Sequence, residues 1–265
     1  KTNLPKRVVV VGGGPAGMKA AITASERGHK VVLLEKSQEL GGNLKYSEYG
    51  DFKADLKKYR KYLENRIVNS NVDVRLNTAA TSEYLRTLNP EALIIAVGAE
   101  FITPNIPGIE YTKQAAAVYQ ELDNIHGDVV IIGGGAIGCE IGIELADRDN
   151  KVTIIEQSSA LAEKSNWLYR QGLYNALKDR NYLNLTAKLN TTAKEFKREG
   201  IIAVDKEGKE EFIAAKYILL AVGMKPKKEL AFSFFGITPE TSLIGDCKRV
   251  GQILEATNDS YFIAA

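Results

Sequence analysis

Two glycine clusters in this sequence have the residue types and spacing to hold a pyrophosphate. Gly12, Gly14 and Gly17 form one G-x-G-x-x-G, and Gly133, Gly135 and Gly138 form the other. In such a motif the first glycine allows a tight turn out of a strand, the second lets backbone approach phosphate, and the third lets the helix pack closely on the strand. Pro15 has no amide hydrogen, which costs nothing in a first helical turn. The amides that follow, at Ala16 and Gly17 and at Ile137 and Gly138, then face an anion at a helix start. Glu35 and Glu156, each 23 residues beyond the first glycine of its motif, are placed to accept hydrogen bonds from a ribose diol. Glu156-Gln157-Ser158 offers no cation for a 2′-phosphate, which favours NADH over NADPH at the second cluster. A lone glycine motif is also compatible with a turn that binds nothing, and a degenerate module can keep its glycines.

The elements that must position these residues repeat along the chain. Val8–Ser37 aligns without gaps on Val129–Ser158, and ALIIAVGA (92–99) echoes YILLAVGM (217–224). Each copy reads as an apolar strand, a glycine turn opening a helix, and a second strand ending in the acid. Leu40-Gly41-Gly42-Asn43 follows Glu35, and its glycines allow backbone to approach the same dinucleotide from the other side. Asp51–Arg66 reads as an amphipathic helix with Phe52, Leu56, Tyr59 and Leu63 on one face; its charges suit a solvated face or a docking surface. Val72–Leu76 and Leu93–Val97 are predicted strands, Pro104 and Pro107-Gly108 a crossover between domains. Beyond strand Val129–Ile132 we expect a helix Trp167–Arg180, a hairpin Ile201–Ile213 turning at Glu207-Gly208, and a strand Ile218–Val222, with a return at Pro226. Trp167 is expected to be a packing residue or a domain contact. Leu243–Asp246 is a short strand ending in Gly-Asp, with a helix from Gln252 onward; Asp246 suits either a ligand at the strand's carboxyl end or a helix cap.

Composition narrows the functional classes. The 265 residues carry 35 Lys and Arg against 33 Asp and Glu, so no global basic field points to nucleic acid or an anionic membrane. The apolar runs are far shorter than the ~20 residues of a membrane span. Two cysteines, Cys139 and Cys247, and two histidines are too few for a disulfide framework or a metal cluster, so no metal is expected and a reducing, cytoplasmic setting fits. The chain opens on Lys1 without an initiator methionine or a signal-peptide pattern, which reads as an excised piece.

Taken in order, GGGPAG with Glu35, LGGN, AVGA, GGGAIG with Glu156, AVGM and TSLIGDC resemble the flavoproteins with two dinucleotide-binding domains of glutathione-reductase type. The resemblance implies an α/β fold of two Rossmann-like domains, the second inserted into the first. Residues 1–105 and 226–265 would form a discontinuous FAD domain, and 106–225 an NAD(H) domain. FAD would contact Gly12, Gly14, Pro15, Ala16, Gly17, Glu35, Lys36, Gly42, Asn43, Ala80 and Gly98, with Asp246 on the ribityl chain. NADH would lie on Gly133, Gly135, Ile137, Gly138, Glu156 and Gly223. Glu140 matches the glutamate that orients the nicotinamide in related reductases, and its competing reading is a helix-surface charge. No redox cysteine pair follows the LGG, so an internal disulfide relay is excluded and both cysteines are read as small packing residues. More narrowly, KRVVVVGGGPAGM, LLEKSQELGGNL, AVGA and LIGDC resemble the carboxyl-terminal region of old-yellow-enzyme-type iron-sulfur flavoproteins, the 2,4-dienoyl-CoA reductase-like NADH:flavin oxidoreductases. The resemblance implies hydride transfer from NADH to FAD, with FMN and an iron-sulfur cluster in a partner barrel domain absent from this chain. It leaves a homo-oligomer open. Related amine dehydrogenases hold ADP in the first site, so the alternative is a non-redox nucleotide-binding module.

Overall fold

The computed structural model describes residues 1–47, 53–179 and 183–264. Its framework begins in valine-rich segments that are buried on both faces, which is why they read as continuous apolar runs instead of alternating ones. In chain order these are β1 (Arg7–Val11), α1 (Pro15–Arg27), β2 (Lys30–Leu34), α2 (Leu44–Ser47), α3 (Ala54–Val68), β3 (Val72–Arg75), α4 (Ser82–Thr87), β4 (Ala92–Ile95) and β5 (Ala99–Phe101). There follow β6 (Thr112–Gln114), β7 (Asp128–Ile132), α5 (Ala136–Ala146), β8 (Lys151–Ile155), α6 (Trp167–Asp179), β9 (Leu185–Lys188), β10 (Thr191–Lys197), β11 (Gly200–Asp205), β12 (Glu210–Ala214) and β13 (Tyr217–Leu220). The chain ends through β14 (Met224–Pro226), α7 (Lys228–Phe232), β15 (Glu240–Leu243) and α8 (Ile253–Ala264).

Two compact units result, Lys1–Glu100 with Met224–Ala265, and Phe101–Gly223. Each is built on a five-stranded sheet, in the order β15-β4-β1-β2-β3 in the first and β6-β13-β7-β8-β9 in the second. Every pairing in the two sheets is parallel. The carboxyl ends of β1 and β7, the central strands, therefore carry the glycine turns, where ligands bind in open α/β sheets. The fold is thus the α/β pair of dinucleotide-binding domains expected from the repeat.

In the first unit Val8 and Val10 pack with α1, α3 and α8, while Val9 and Val11 pack on the other face with Phe234 and Cys247. Helix α3 buries Leu63 and Ile67, with Tyr59 packed beside them. Its expected start at Asp51 and Phe52 lies outside the described residues, as does Arg180, the expected last residue of the helix from Trp167. In the second unit an antiparallel meander β10-β11-β12 closes one sheet face, Phe196, Ile201 and Ala203 packing on Val130, Ile132 and Ile218. The hairpin Ile201–Ile213 is its second half, and β10 is a strand that the sequence pattern did not reveal. Trp167 is 71% exposed at the start of α6, which removes packing from its two expected roles. Among the described residues no helix is long and apolar enough to cross a membrane.

Helix α1 carries one imperfection. Thr23 is 2% exposed, and its Oγ1 is the buried side-chain oxygen that lacks a hydrogen-bond partner among the described residues. A buried hydroxyl without a partner costs about 1 kcal/mol or more. Thr23→Val, which keeps the shape, is expected to raise the urea midpoint by an amount corresponding to roughly 1 kcal/mol with an unchanged slope.

Candidate functional site

In the first unit the glycine turn is set by close approaches that exclude side chains. Gly12 has φ +106°, and a Cβ there would lie 2.3 Å from the Ala96 carbonyl oxygen; one on Gly17 would lie 1.8 Å from that of Gly12. Helix α1 is thereby drawn onto β1. Its first intrahelical donor is Met18 N–H, to the Gly14 carbonyl, which leaves the Ala16 and Gly17 amides at the helix mouth. Glu35, at the end of β2, is 7% exposed. Gly13 N–H donates to its Oε2 at 2.7 Å and Ser37 N–H to its Oε1 at 2.8 Å. The carboxylate thus braces the turn from below, and each oxygen keeps a lone pair for a further donor.

The Leu40–Asn43 loop folds over this turn. Gly41 N–H donates to the Gly13 carbonyl at 2.9 Å, and a Cβ on Gly42, at φ +54°, would come within 2.9 Å of Gly14 Cα. Asn43 donates to Met224 Sδ at 3.3 Å. Asp246 arrives from the far end of the chain on the 3-10 turn Gly245–Cys247, where a Cβ on Gly245 would meet Ala16 Cβ at 2.8 Å. Its Oδ1 accepts Gly251 N–H at 3.2 Å, so the side chain also closes the turn ahead of α8. Ser260 Oγ, from α8, donates to the Ala16 carbonyl at 2.9 Å. The structure therefore gathers Gly12, Gly14, Pro15, Ala16, Gly17, Glu35, Gly42 and Asp246 around one helix mouth. Gly98, at φ +73° with open space beside it, follows Ala96 at the end of β4. Lys36 is exposed, and Ala80 packs half-buried against the core under β1.

The second unit repeats the brace. Gly133 has φ +105°, a Cβ on Gly138 would lie 1.9 Å from the Gly133 carbonyl oxygen, and Glu156, 9% exposed, accepts from Gly134 N–H at 2.6 Å and Ser158 N–H at 2.7 Å. Residues that the alignment missed extend the likeness. Leu40 and Leu161 each press a methyl where Gly13 and Gly134 would carry a Cβ, and Ala162 N–H donates to the Gly134 carbonyl at 2.7 Å as Gly41 does to Gly13. The signal was present: the offset that superposes Glu35 on Glu156 also superposes Leu40 on Leu161. It places Glu163 opposite Gly42, however, and a Cβ on Gly135 would meet nothing. Gly223, at φ +93°, is likewise open, and Ile137 is half-buried at the mouth of α5.

Glu140 is not a helix-surface charge. It is 1% exposed on α5, accepting from Tyr119 Oη at 3.0 Å and from Tyr169 Oη. Both cysteines are buried: Cys139 Sγ lies 3.4 Å from the Gly134 carbonyl oxygen and Cys247 Sγ 3.2 Å from that of Ile95. Burial pushes the Cys139 thiol up to about 12, so neither its depth nor its acidity suits redox exchange.

Residues 6–244 match the family model described as pyridine nucleotide-disulphide oxidoreductase. The chain belongs to that family. As a member it is an oxidoreductase region with sites for FAD and a nicotinamide dinucleotide. It is 38% identical to an NADH oxidase of Thermoanaerobacter brockii, over 98% of this chain and 40% of the relative. With a cinnamate reductase of Clostridium sporogenes the identity is 31%, over 98% of this chain and 39% of the relative. A solved 2-naphthoyl-CoA reductase superposes with a TM-score of 0.90 at 28% identity, over 99% of this chain and 40% of that one. The old-yellow-enzyme-type relatives implied by KRVVVVGGGPAGM, LLEKSQELGGNL, AVGA and LIGDC are thus among the proteins matched, and the chain spans about 40% of their length.

Burial raises the Asp246 carboxyl above the ordinary aspartate value, the Gly251 amide opposing this and the Glu255 charge adding to it. The folded state holds this proton more tightly than the unfolded chain does. Ionising Asp246 therefore costs stability above the raised pKa, a cost absent at low pH. Asp246→Asn, which keeps an acceptor for Gly251, is expected to raise the thermal midpoint of the flavin-free protein at pH 7. The gain should shrink as the pH falls toward the ordinary aspartate range.

Proposed function

We propose that this chain passes hydride from NADH to FAD, as the electron-input region of a longer, cytoplasmic flavoprotein whose remaining length carries an FMN and iron-sulfur barrel domain. The observation that carries the reading is the doubled brace, two glycine turns each held by a buried glutamate with lone pairs to spare. Both turns fit a dinucleotide in this structure: the amides at each helix start precede the first intrahelical donors, Met18 and Cys139, the space beside Gly135 is open, and Gly14 faces only the glycine backbone of Gly42. FAD when bound supplies the hydride acceptor and NADH the donor, chemistry that asks the protein chiefly for positioning.

In this assignment Gly12, Gly14, Pro15, Ala16 and Gly17 hold the FAD pyrophosphate, and Glu35 with Lys36 holds its adenosine ribose. Gly42 and Asn43 cover it, Ala80 and Gly98 line its path, and Asp246 accepts from its ribityl hydroxyls. The mouth of α8, which follows Asp246, favours negative charge. Gly133, Gly135, Ile137 and Gly138 hold the NADH pyrophosphate, Glu156 its ribose diol, and Gly223 the neighbouring backbone path. Glu140 accepts from the nicotinamide carboxamide.

Anaerobic addition of NADH to the FAD-loaded chain is expected to bleach the flavin band, and an unchanged spectrum at millimolar NADH would sink the reading. Specificity gives a second check. Because Glu156 is needed for the brace, the informative change is at its exposed neighbour: Gln157→Arg adds a cation for a 2′-phosphate without touching the brace. It is expected to improve NADPH relative to NADH by about tenfold in kcat/KM, the size of one charge-assisted hydrogen bond.

A further inference from the structure

A carboxylate can orient a ligand only if it is itself oriented, so the residues that fix Glu140 belong to its task. Its two oxygens are engaged by phenols from elements remote in sequence. Tyr119, on the 3-10 turn Ala115–Gln120, donates to Oε2, and Tyr169, in the first turn of α6, donates to Oε1. Both phenols are pushed well above the usual tyrosine range, burial first and the Glu140 charge second, so both remain donors. A carboxylate offers about four lone-pair positions, so two phenol donors alone do not saturate it.

The two tyrosines are mounted differently. Tyr119 is 5% exposed, whereas Tyr169 is 38% exposed on a helix tied to the segment crossing the second glycine turn. Ala162 N–H donates to the Gly134 carbonyl, and the Leu161 carbonyl accepts from Arg170 Nε at 3.1 Å and Tyr174 Oη at 3.0 Å, both on α6. One connected set of hydrogen bonds therefore joins the pyrophosphate turn, the 161–162 segment, α6 and Glu140.

We propose that Tyr169, seconded by Tyr119, is a positioning residue that aims Glu140 at the carboxamide N–H of a bound nicotinamide and ties that aim to the pyrophosphate turn. The proposal rests on the second unit being the NADH unit.

The test compares equilibrium binding of NAD⁺ with that of its 3-acetylpyridine analogue, whose methyl ketone has no N–H to donate, on the full FAD-loaded chain. Wild type is expected to prefer the carboxamide. Tyr169→Phe should reduce that preference about fivefold, the worth of one hydrogen bond. The loss should fall on NAD⁺, leave the analogue's Kd within about twofold, and preserve FAD content and the thermal midpoint. A preference that falls less than about threefold, or equal weakening of both ligands, overturns the proposal. If Tyr169→Phe does not fold, Tyr119→Phe carries the same comparison with the same criteria. Failure of wild type to bind either ligand is a different result: it sinks the NADH assignment, and this proposal with it.

Discussion

A carboxylate taken out of water must find hydrogen-bond donors, and the glycine turns of this protein supply them. Glu35 receives the Gly13 and Ser37 amides, and Glu156 those of Gly134 and Ser158, at 2.6 to 2.8 Å. The same bonds hold the middle glycine of each turn and so fix the angle at which the following helix starts. Helix mouth, turn and carboxylate are thereby joined in each unit. Removing either carboxylate would leave one buried and one part-buried amide without acceptors.

Where the two units differ, the difference lies in what faces the turn. Gly42 stacks on Gly14 in the first unit, whereas the second has Glu163 at the equivalent place in the chain and open space beside Gly135. A turn walled by a second glycine backbone suits a resident group, and one left open suits a nucleotide that enters and leaves with each turnover. On the proposed assignment, the walled turn is the one that would hold FAD and the open one NADH.

Much of this was legible in the sequence because it is local. The glycine spacing, the valine runs and the acid closing each strand-helix-strand unit are read within some thirty residues, and the repeat doubles the signal. The Leu40/Leu161 correspondence was weaker because the residues beyond it diverge, Gly41-Gly42-Asn43 against Ala162-Glu163-Lys164. Tyr119 and Tyr169 were out of reach: each meets Glu140 across more than twenty residues of chain, and no spacing rule marks a phenol as the partner of one buried carboxylate. Packing, one of the two expectations for Trp167, failed although an apolar side chain at helical spacing ordinarily packs. Strand β10 was missed because Thr191–Lys197 has apolar residues only at Ala193 and Phe196, three apart instead of alternating, with a register shift between Ala193 and Glu195.

The bond from Ser260 to the Ala16 carbonyl has a consequence for biosynthesis. The sheet of the first unit needs β15 as its edge strand beside β4, and α1 needs α8 across it. Both follow Phe101–Gly223 in the chain and so emerge from the ribosome only after it. The inserted unit has all its strands in one continuous stretch and can close while the amino-terminal hundred residues still wait with one side of α1 uncovered. Of these two units, the one whose first strands are translated earlier is therefore the one completed later.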